Sequence, residues 1–459
     1  VSRSHCDALV LFGASGDLAH KMLFPALYRL VRRRNLALPV IGVAFSRWDV
    51  ERLRARARES VEQAERDVDS QALTRLAELL RYVDGDYRQP ETFEALAKAL
   101  GDARRPLHYL AIPPSMFPVV VEGLGASGCI RRGRVVVEKP FGRDLESARS
   151  LNRTLHGRFD ESAIFRIDHF MGKEPVQNLL YFRFANSFVE PIWNRDRVES
   201  IQVTMAERFG VEGRGAFYEE VGAIRDVVQN HLLQVVALLT MEAPVSPDAE
   251  SLRDEQAKAL RAVRPLTGRS LVLGQYRGYR EEPDVGPDSQ VETFAAMQLH
   301  IDSWRWAGVP VFIRAGKRLP VTATEVLVRL KQPPRDVFGH AELQRSNYFR
   351  FRLGPQVTIA LGARAKAPGE QMRGEDVELS VYHESSLGMT AYERLLGDAI
   401  DGNPELFGRQ DGVEAAWRIV DGVLRSGKPV ESYEPGSWGP ESADAMIAGV
   451  GGWHAPRDS

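Results

Sequence analysis

Five side chains that bind anions or handle protons crowd into one short stretch, Arg166-Ile167-Asp168-His169-Phe170-Met171-Gly172-Lys173-Glu174. A histidine and a lysine four positions apart offer cationic and N–H donors of the kind a phosphate needs. The apolar run Ala163-Ile164-Phe165 before it reads as a strand. Pro175 to Leu180 after it reads as a helix, with proline in its first turn. A strand handing charged groups to a helix start suits an anion. A solvated charged turn would look the same. Lysine usage separates the two: 9 lysines stand against 51 arginines. Yet Lys21, Lys139, Lys173 and Lys317 each lie in or beside a motif marked by glycine or proline, where a compact ammonium differs from a guanidinium. A second constellation is Arg225-Asp226-Val227-Val228-Gln229-Asn230-His231-Leu232-Leu233-Gln234. From about Ala223 the pattern predicts a helix with Val228, Leu232, Val235 and Leu239 as one apolar stripe. His231 beside that stripe reads either as a satisfied core histidine or as a proton acceptor. The polar groups crowded around it need partners, which a bound sugar would provide.

Elements must aim these groups. Leu9-Val10-Leu11-Phe12 reads as a buried strand, followed by Gly13-Ala14-Ser15-Gly16-Asp17-Leu18-Ala19 and a helix from Met22 to Arg33. Strand, glycine turn, helix is the layout that holds a pyrophosphate, which makes Gly13, Ser15, Gly16, Asp17 and Leu18 cofactor-binding candidates. Further strands are expected at Pro39 to Ala44, Leu107 to Ile112 and Arg134 to Val137. Their alternation with helices predicts an α/β Rossmann-type domain. The second strand ends in Phe45-Ser46-Arg47, with no acid before Asp49. An NAD site usually carries an acid there, so Ser46 and Arg47 lean the reading toward NADP, with NAD possible. Arg47 as a plain surface arginine is the alternative. Pro113 and Lys139 follow two other strand ends, where such sheets bind ligands. After Glu174 the alternation stops. Strands are expected at Arg197–Glu207, Thr293–Ile301, Thr324–Lys331, Tyr348–Leu353, Val357–Leu361 and Val377–Tyr382, with helices at Ala391–Ile400 and Asp411–Leu424. This predicts an α+β domain with a large, mainly antiparallel sheet. The expected division is residues 1–168 for the dinucleotide and 169–459 for substrate and dimerisation.

The composition is that of a globular protein, with 44% hydrophobic and 27% charged residues. A formal net charge of −2 gives no field for nucleic acid or an anionic membrane. Cys6 and Cys129 form no metal spacing and no disulfide framework. No run approaches the length of a membrane span, and Leu9–Phe12 is too short for the apolar part of a signal peptide. The expectation is a cytoplasmic protein with no metal, no nucleic acid and no membrane partner.

The stretch Asp168-His169-Phe170-Met171-Gly172-Lys173-Glu174 resembles the substrate signature of the glucose-6-phosphate dehydrogenase family. So do Glu138-Lys139-Pro140, the helix Arg225 to Gln234, Gly316-Lys317 and Gly436 to Pro440, so the resemblance runs from about Leu9 to Pro440. It implies oxidation of C1 of glucose 6-phosphate, with hydride passing to NADP. It assigns the base to His231 and its orienting carboxylate to Asp168. It places His169 and Lys173 on the phosphate and Glu207 and Asp226 on sugar hydroxyls, with Lys139 and Lys317 beside them. Three positions depart from the pattern: Phe45 for an arginine, Phe170 for a tyrosine and Thr322 for a basic residue. Phe45 keeps open an NAD-preferring enzyme, and Phe170 and Thr322 keep open a broader sugar dehydrogenase. A non-catalytic sensor on the same fold is the other alternative, but it would be expected to have lost the base or its partner, and both are present. A homodimer or homotetramer is expected.

Overall fold

The computed structural model describes residues 5–335, 337–338, 346–369, 372–383 and 388–458. The chain forms two compact units, and each is described by itself. One comprises Val1–Glu174, Val245–Arg253 and Gly388–Glu414; the other comprises Pro175–Pro244, Asp254–Leu387 and Ala415–Ser459.

The first unit is built on β1 (Ala8–Phe12), β2 (Val40–Ala44), β3 (Leu80–Asp84), β4 (Pro106–Leu110), β5 (Arg134–Glu138) and β6 (Ile164–Ile167). They lie in the order β6-β5-β4-β1-β2-β3, all parallel, with a two-residue strand Phe407–Gly408 antiparallel to β6 at the edge. β1, β2, β4 and β6 are buried along their whole length, as strands covered by helices on both faces must be. β3 is different. Its Leu80 and Val83 are buried while Arg81 and Asp84 are exposed, so its short, mixed sequence gives no apolar run to read. The order reverses between β1 and β4, and the carboxyl ends there open the crevice in which such sheets bind ligands. The first helix begins earlier than its sequence pattern, with a wide turn Ala19–Leu23 leading into Phe24–Arg34. The strand expected to reach Ile112 stops at Leu110, and Ala111 to Pro113 leave the sheet. β6 starts at Ile164, because Ala163 closes a tight turn on the Asp160 carbonyl.

The second unit carries β7 (Val198–Ala206), β8 (Leu271–Tyr276), β9 (Phe294–Leu299), β10 (Val311–Gly316), β11 (Ala323–Leu330), β12 (Tyr348–Gly354), β13 (Val357–Lys366) and β14 (Gly374–His383). The order is β14-β13-β12-β11-β7-β10-β9-β8, closed at the far edge by Glu431–Tyr433. The β7–β10 pair and the short edge strand run parallel; the remaining neighbours are antiparallel. The sheet is thus large and mainly antiparallel, as the sequence implies. β13 runs five residues past Leu361 because β14 pairs with it to Lys366.

The helix expected from Ala223 has a different start. Ile224–Leu232 winds as a π-helix before Leu233–Thr240 resumes α geometry. Gly222, at φ +60°, breaks the preceding helix Gly215–Ala223, and a Cβ there would lie 2.5 Å from Glu292 Oε1. That same oxygen accepts the Ile224 N–H at 3.0 Å. A buried carboxylate therefore caps the helix that carries Asp226 and His231, and burial raises its own pKa. Val228, Leu232, Val235 and Leu239 are fully buried, as the stripe requires. Among the described residues, no helix is long and apolar enough to cross a membrane.

Candidate active site

In the first unit the glycine turn sits at the switch point. Gly13 has φ +79°, and a Cβ on it would lie 2.1 Å from the Ala111 carbonyl oxygen. The turns after β1 and β4 thus touch through a position that has no room for a side chain. Gly13 N–H donates to Val43 O at 2.9 Å, and Gly16 N–H closes onto Gly13 O at 2.9 Å. Ser15 Oγ meets Ser46 Oγ at 2.6 Å, so two of the cofactor candidates are brought together. Gly16, Asp17, Arg47 and Pro113 are exposed; Leu18 is half-buried against the core. Asp17 pairs with Lys21 at 3.0 Å, which holds its carboxyl below the usual range. Tyr87 was not legible in the sequence: its hydroxyl lies 2.9 Å from Gly13 N and donates to Val43 O at 3.0 Å. A close-packed glycine turn running into a helix start fits the pyrophosphate of a dinucleotide.

The ends of β5 and β6 hold a second cluster. Glu138 is buried and accepts the Tyr109 hydroxyl at 2.5 Å. Tyr392 donates to it as well; burial pushes the Glu138 carboxyl up to about 7, against the pull of both hydroxyls and of Lys139. The Lys139–Pro140 bond is cis. Asp168 is buried and accepts the Phe170 N–H at 2.9 Å, which closes the turn. His169 is half-buried with its ring parallel to Tyr392, centroids 6.3 Å apart. Lys173 Nζ stands 4.4 Å from the centroid of the buried Phe170 ring. The Phe170 ring thus supports the ammonium by a cation–π contact. Glu138 and Tyr392 are additions to the sequence reading. Glu138 carried a signal, a lone acid closing an apolar strand. Tyr392 carried none, because it begins a helix more than 200 residues downstream.

In the second unit Lys317 and Glu207 are ion-paired at 2.7 Å, with Lys317 buried near the rings of Phe209 and Tyr218. Burial raises the Tyr218 pKa well above normal, and the charges of Asp226, Glu292 and Glu207 add to the rise. His231 is 2% exposed. Thr322 accepts the Arg208 N–H at 3.1 Å and so serves the backbone. Arg318, at φ +53°, lies over Tyr276 with its guanidinium 3.9 Å from Glu282.

The six-stranded parallel sheet, with a glycine turn at its switch point, defines a protein of the Rossmann-type, dinucleotide-binding class. Residues 10–178 match the family model for the glucose-6-phosphate dehydrogenase NAD-binding domain, and residues 180–454 match that for its C-terminal domain. Glucose-6-phosphate 1-dehydrogenase 1 of Mycobacterium tuberculosis is 44% identical over 453 residues, 98% of this chain and 96% of that protein. The crystal structure of glucose-6-phosphate 1-dehydrogenase from Mycobacterium avium is 45% identical with a TM-score of 0.91, covering 99% of this chain and 100% of the other. A glucose-6-phosphate dehydrogenase in complex with its substrate, glucose 6-phosphate, is 35% identical with the same TM-score of 0.91 and the same coverage. The chain belongs to the glucose-6-phosphate dehydrogenase family.

Proposed function

We propose that this chain is an oxidoreductase that oxidises C1 of glucose 6-phosphate to 6-phosphogluconolactone, the entry to the oxidative pentose phosphate pathway. The observation that supports it is the match of both family models across residues 10–178 and 180–454. A bound nicotinamide supplies the hydride acceptor. The chain's own residues do the rest. His231 takes the proton of the C1 hydroxyl as the C1 carbonyl forms. Asp168 is the carboxylate that fixes the tautomer of that imidazole and stabilises its charged form. His169 and Lys173 bind the 6-phosphate, whose charge a half-buried ammonium and imidazole offset. Glu207, held by Lys317, and Asp226 accept sugar hydroxyls, and Lys139 lies between sugar and nicotinamide. Gly13, Ser15, Gly16, Asp17, Leu18 and Pro113 line the dinucleotide, with Ser46 and Arg47 at its adenosine ribose.

On this reading residues 1–168 serve the dinucleotide and residues 169–459 serve substrate and dimerisation. NADP is preferred over NAD by a modest margin, no metal takes part, and the protein is a cytoplasmic homodimer or homotetramer. Initial rates with NADP and NAD, each with glucose 6-phosphate and with free glucose, test the reading. Turnover should be fastest with glucose 6-phosphate and NADP. Equal rates on glucose would remove the phosphate site, and a marked NAD preference would remove the lean to NADP.

A further inference from the structure

The loop after β2 carries its own anion. Asp84 closes β3 and is in register with Ala44, the last residue of β2. Its Oδ1 accepts the Ser46 N–H at 3.2 Å and the Arg47 N–H at 2.7 Å. Tyr82 directs its hydroxyl to the same oxygen at 3.1 Å. Arg47 is left-handed, at φ +53°, and the two successive N–H groups of Ser46 and Arg47 meet at one point. Such a pair of amides is an anion-binding nest. On its other side the loop is tied to the glycine turn through Ser46 and Ser15, 2.6 Å apart. In a sheet of this order the loop after the second strand meets the adenosine ribose. NAD-specific sites place an acid in that loop, where it accepts from the 2′-hydroxyl. Here the loop has no acid before Asp49, which caps the next helix, and the neighbouring strand delivers one instead.

We propose that Asp84 is a specificity-determining residue. Its carboxylate fills the N–H nest of the Phe45–Arg47 loop and so disfavours a second anion, the 2′-phosphate of NADP, while a 2′-hydroxyl is left undisturbed. The inference rests on the reading of Ser46 and Arg47 as the ribose end of the cofactor site. Arg47 attracts the 2′-phosphate and Asp84 repels it, which narrows the margin between the two cofactors. Phe45, 65% exposed, adds no second cation to tip the balance.

Asp84→Asn tests this, because the amide oxygen still accepts both N–H groups while the charge is gone. Affinities for adenosine 2′,5′-bisphosphate and adenosine 5′-monophosphate are measured by calorimetry on the full chain, beside kcat/KM for NADP and NAD. The ratio of bisphosphate to monophosphate affinity should rise on the order of tenfold, the size expected for one like charge removed near a partly exposed anion. Monophosphate affinity and NAD kinetics should stay near wild type. Asp84→Ser, which keeps an acceptor without the charge, provides the same comparison if the asparagine variant does not fold. Arg47→Ala is measured in parallel and should lower the ratio. If Arg47→Ala lowers the ratio and Asp84→Asn leaves it unchanged, the inference falls and the ribose reading stands. If neither substitution moves it, both fall. Equal weakening of both ligands by Asp84→Asn would make Asp84 a prop for the loop and overturn its role in specificity.

Discussion

His231 and Lys173 perform separable jobs, and single substitutions tell them apart. His231→Asn keeps the size and hydrogen bonding of the side chain but cannot accept a proton from C1–OH. Turnover should fall ~10²–10⁴-fold, with glucose 6-phosphate and dinucleotide still bound. Stopped-flow turnover per folded molecule, with the melting temperature alongside, checks this. A buried histidine that only filled the core would instead lower the melting temperature and leave turnover near normal. Lys173→Ala should cost ~2–3 kcal/mol in kcat/KM for glucose 6-phosphate, the size of a charge-assisted contact in a partly buried site. The rate on free glucose, which lacks the phosphate, should be unaffected. The same residues show how far the sequence could be read. Asp168, His169 and Lys173 stood out because three ionisable types share one turn. The cation–π seat that Phe170 gives Lys173 did not, since a phenylalanine in a motif says nothing of what lies over its face.

At the scale of elements, the turn after β1 and the turn after β4 are packed backbone to backbone at Gly13. Gly13→Ala puts a Cβ 2.1 Å from Ala111 O, at a φ of +79° that L residues rarely adopt. The two turns must part, so KM for the dinucleotide should rise at least ~10-fold while the KM for glucose 6-phosphate changes far less. Steady-state kinetics with each substrate varied in turn measures the split, and parallel losses in both would place the turn outside the dinucleotide site. The strand–glycine turn–helix layout was legible because buried parallel strands are continuous apolar runs. The π-helix Ile224–Leu232 was not legible. Its apolar stripe has helical spacing in either geometry. The Glu292 carboxylate that accepts the Ile224 N–H at its start comes from a segment over 60 residues away.

At the scale of the whole molecule, one buried acid ties stability to pH. Burial raises the Glu138 carboxyl from an ordinary 4.5 to about 7. Between those values the folded chain keeps a proton that the unfolded chain releases. Stability from this group is therefore fully present below the unfolded value and lost as pH rises through the folded one. Glu138→Gln removes the titration and keeps an acceptor for Tyr109 and Tyr392. Urea unfolding between about pH 5 and about pH 8 should show the variant gaining on the wild type as pH rises, by a few kcal/mol at most. A difference that stays flat across that range would mean that Glu138 is ionised throughout.

What the sequence determined by itself is local in origin: the apolar runs that become strands, the glycine turn, the amphipathic stripe, and the motifs that tie the chain to its family. Each depends on residues within a few positions of one another, so side-chain type and spacing suffice. Tertiary structure alone decided which distant groups share a site. Tyr392 joins Glu138 and His169, and Lys317 joins Glu207, across more than 100 residues in each case. Asp84 reaches the loop after β2 only because β3 pairs with β2 in a register that sets Asp84 beside Ala44. Strand order, register and the return of residues 388–414 to the first unit are long-range choices. They are fixed by burying one set of faces together, and no single segment carries that information.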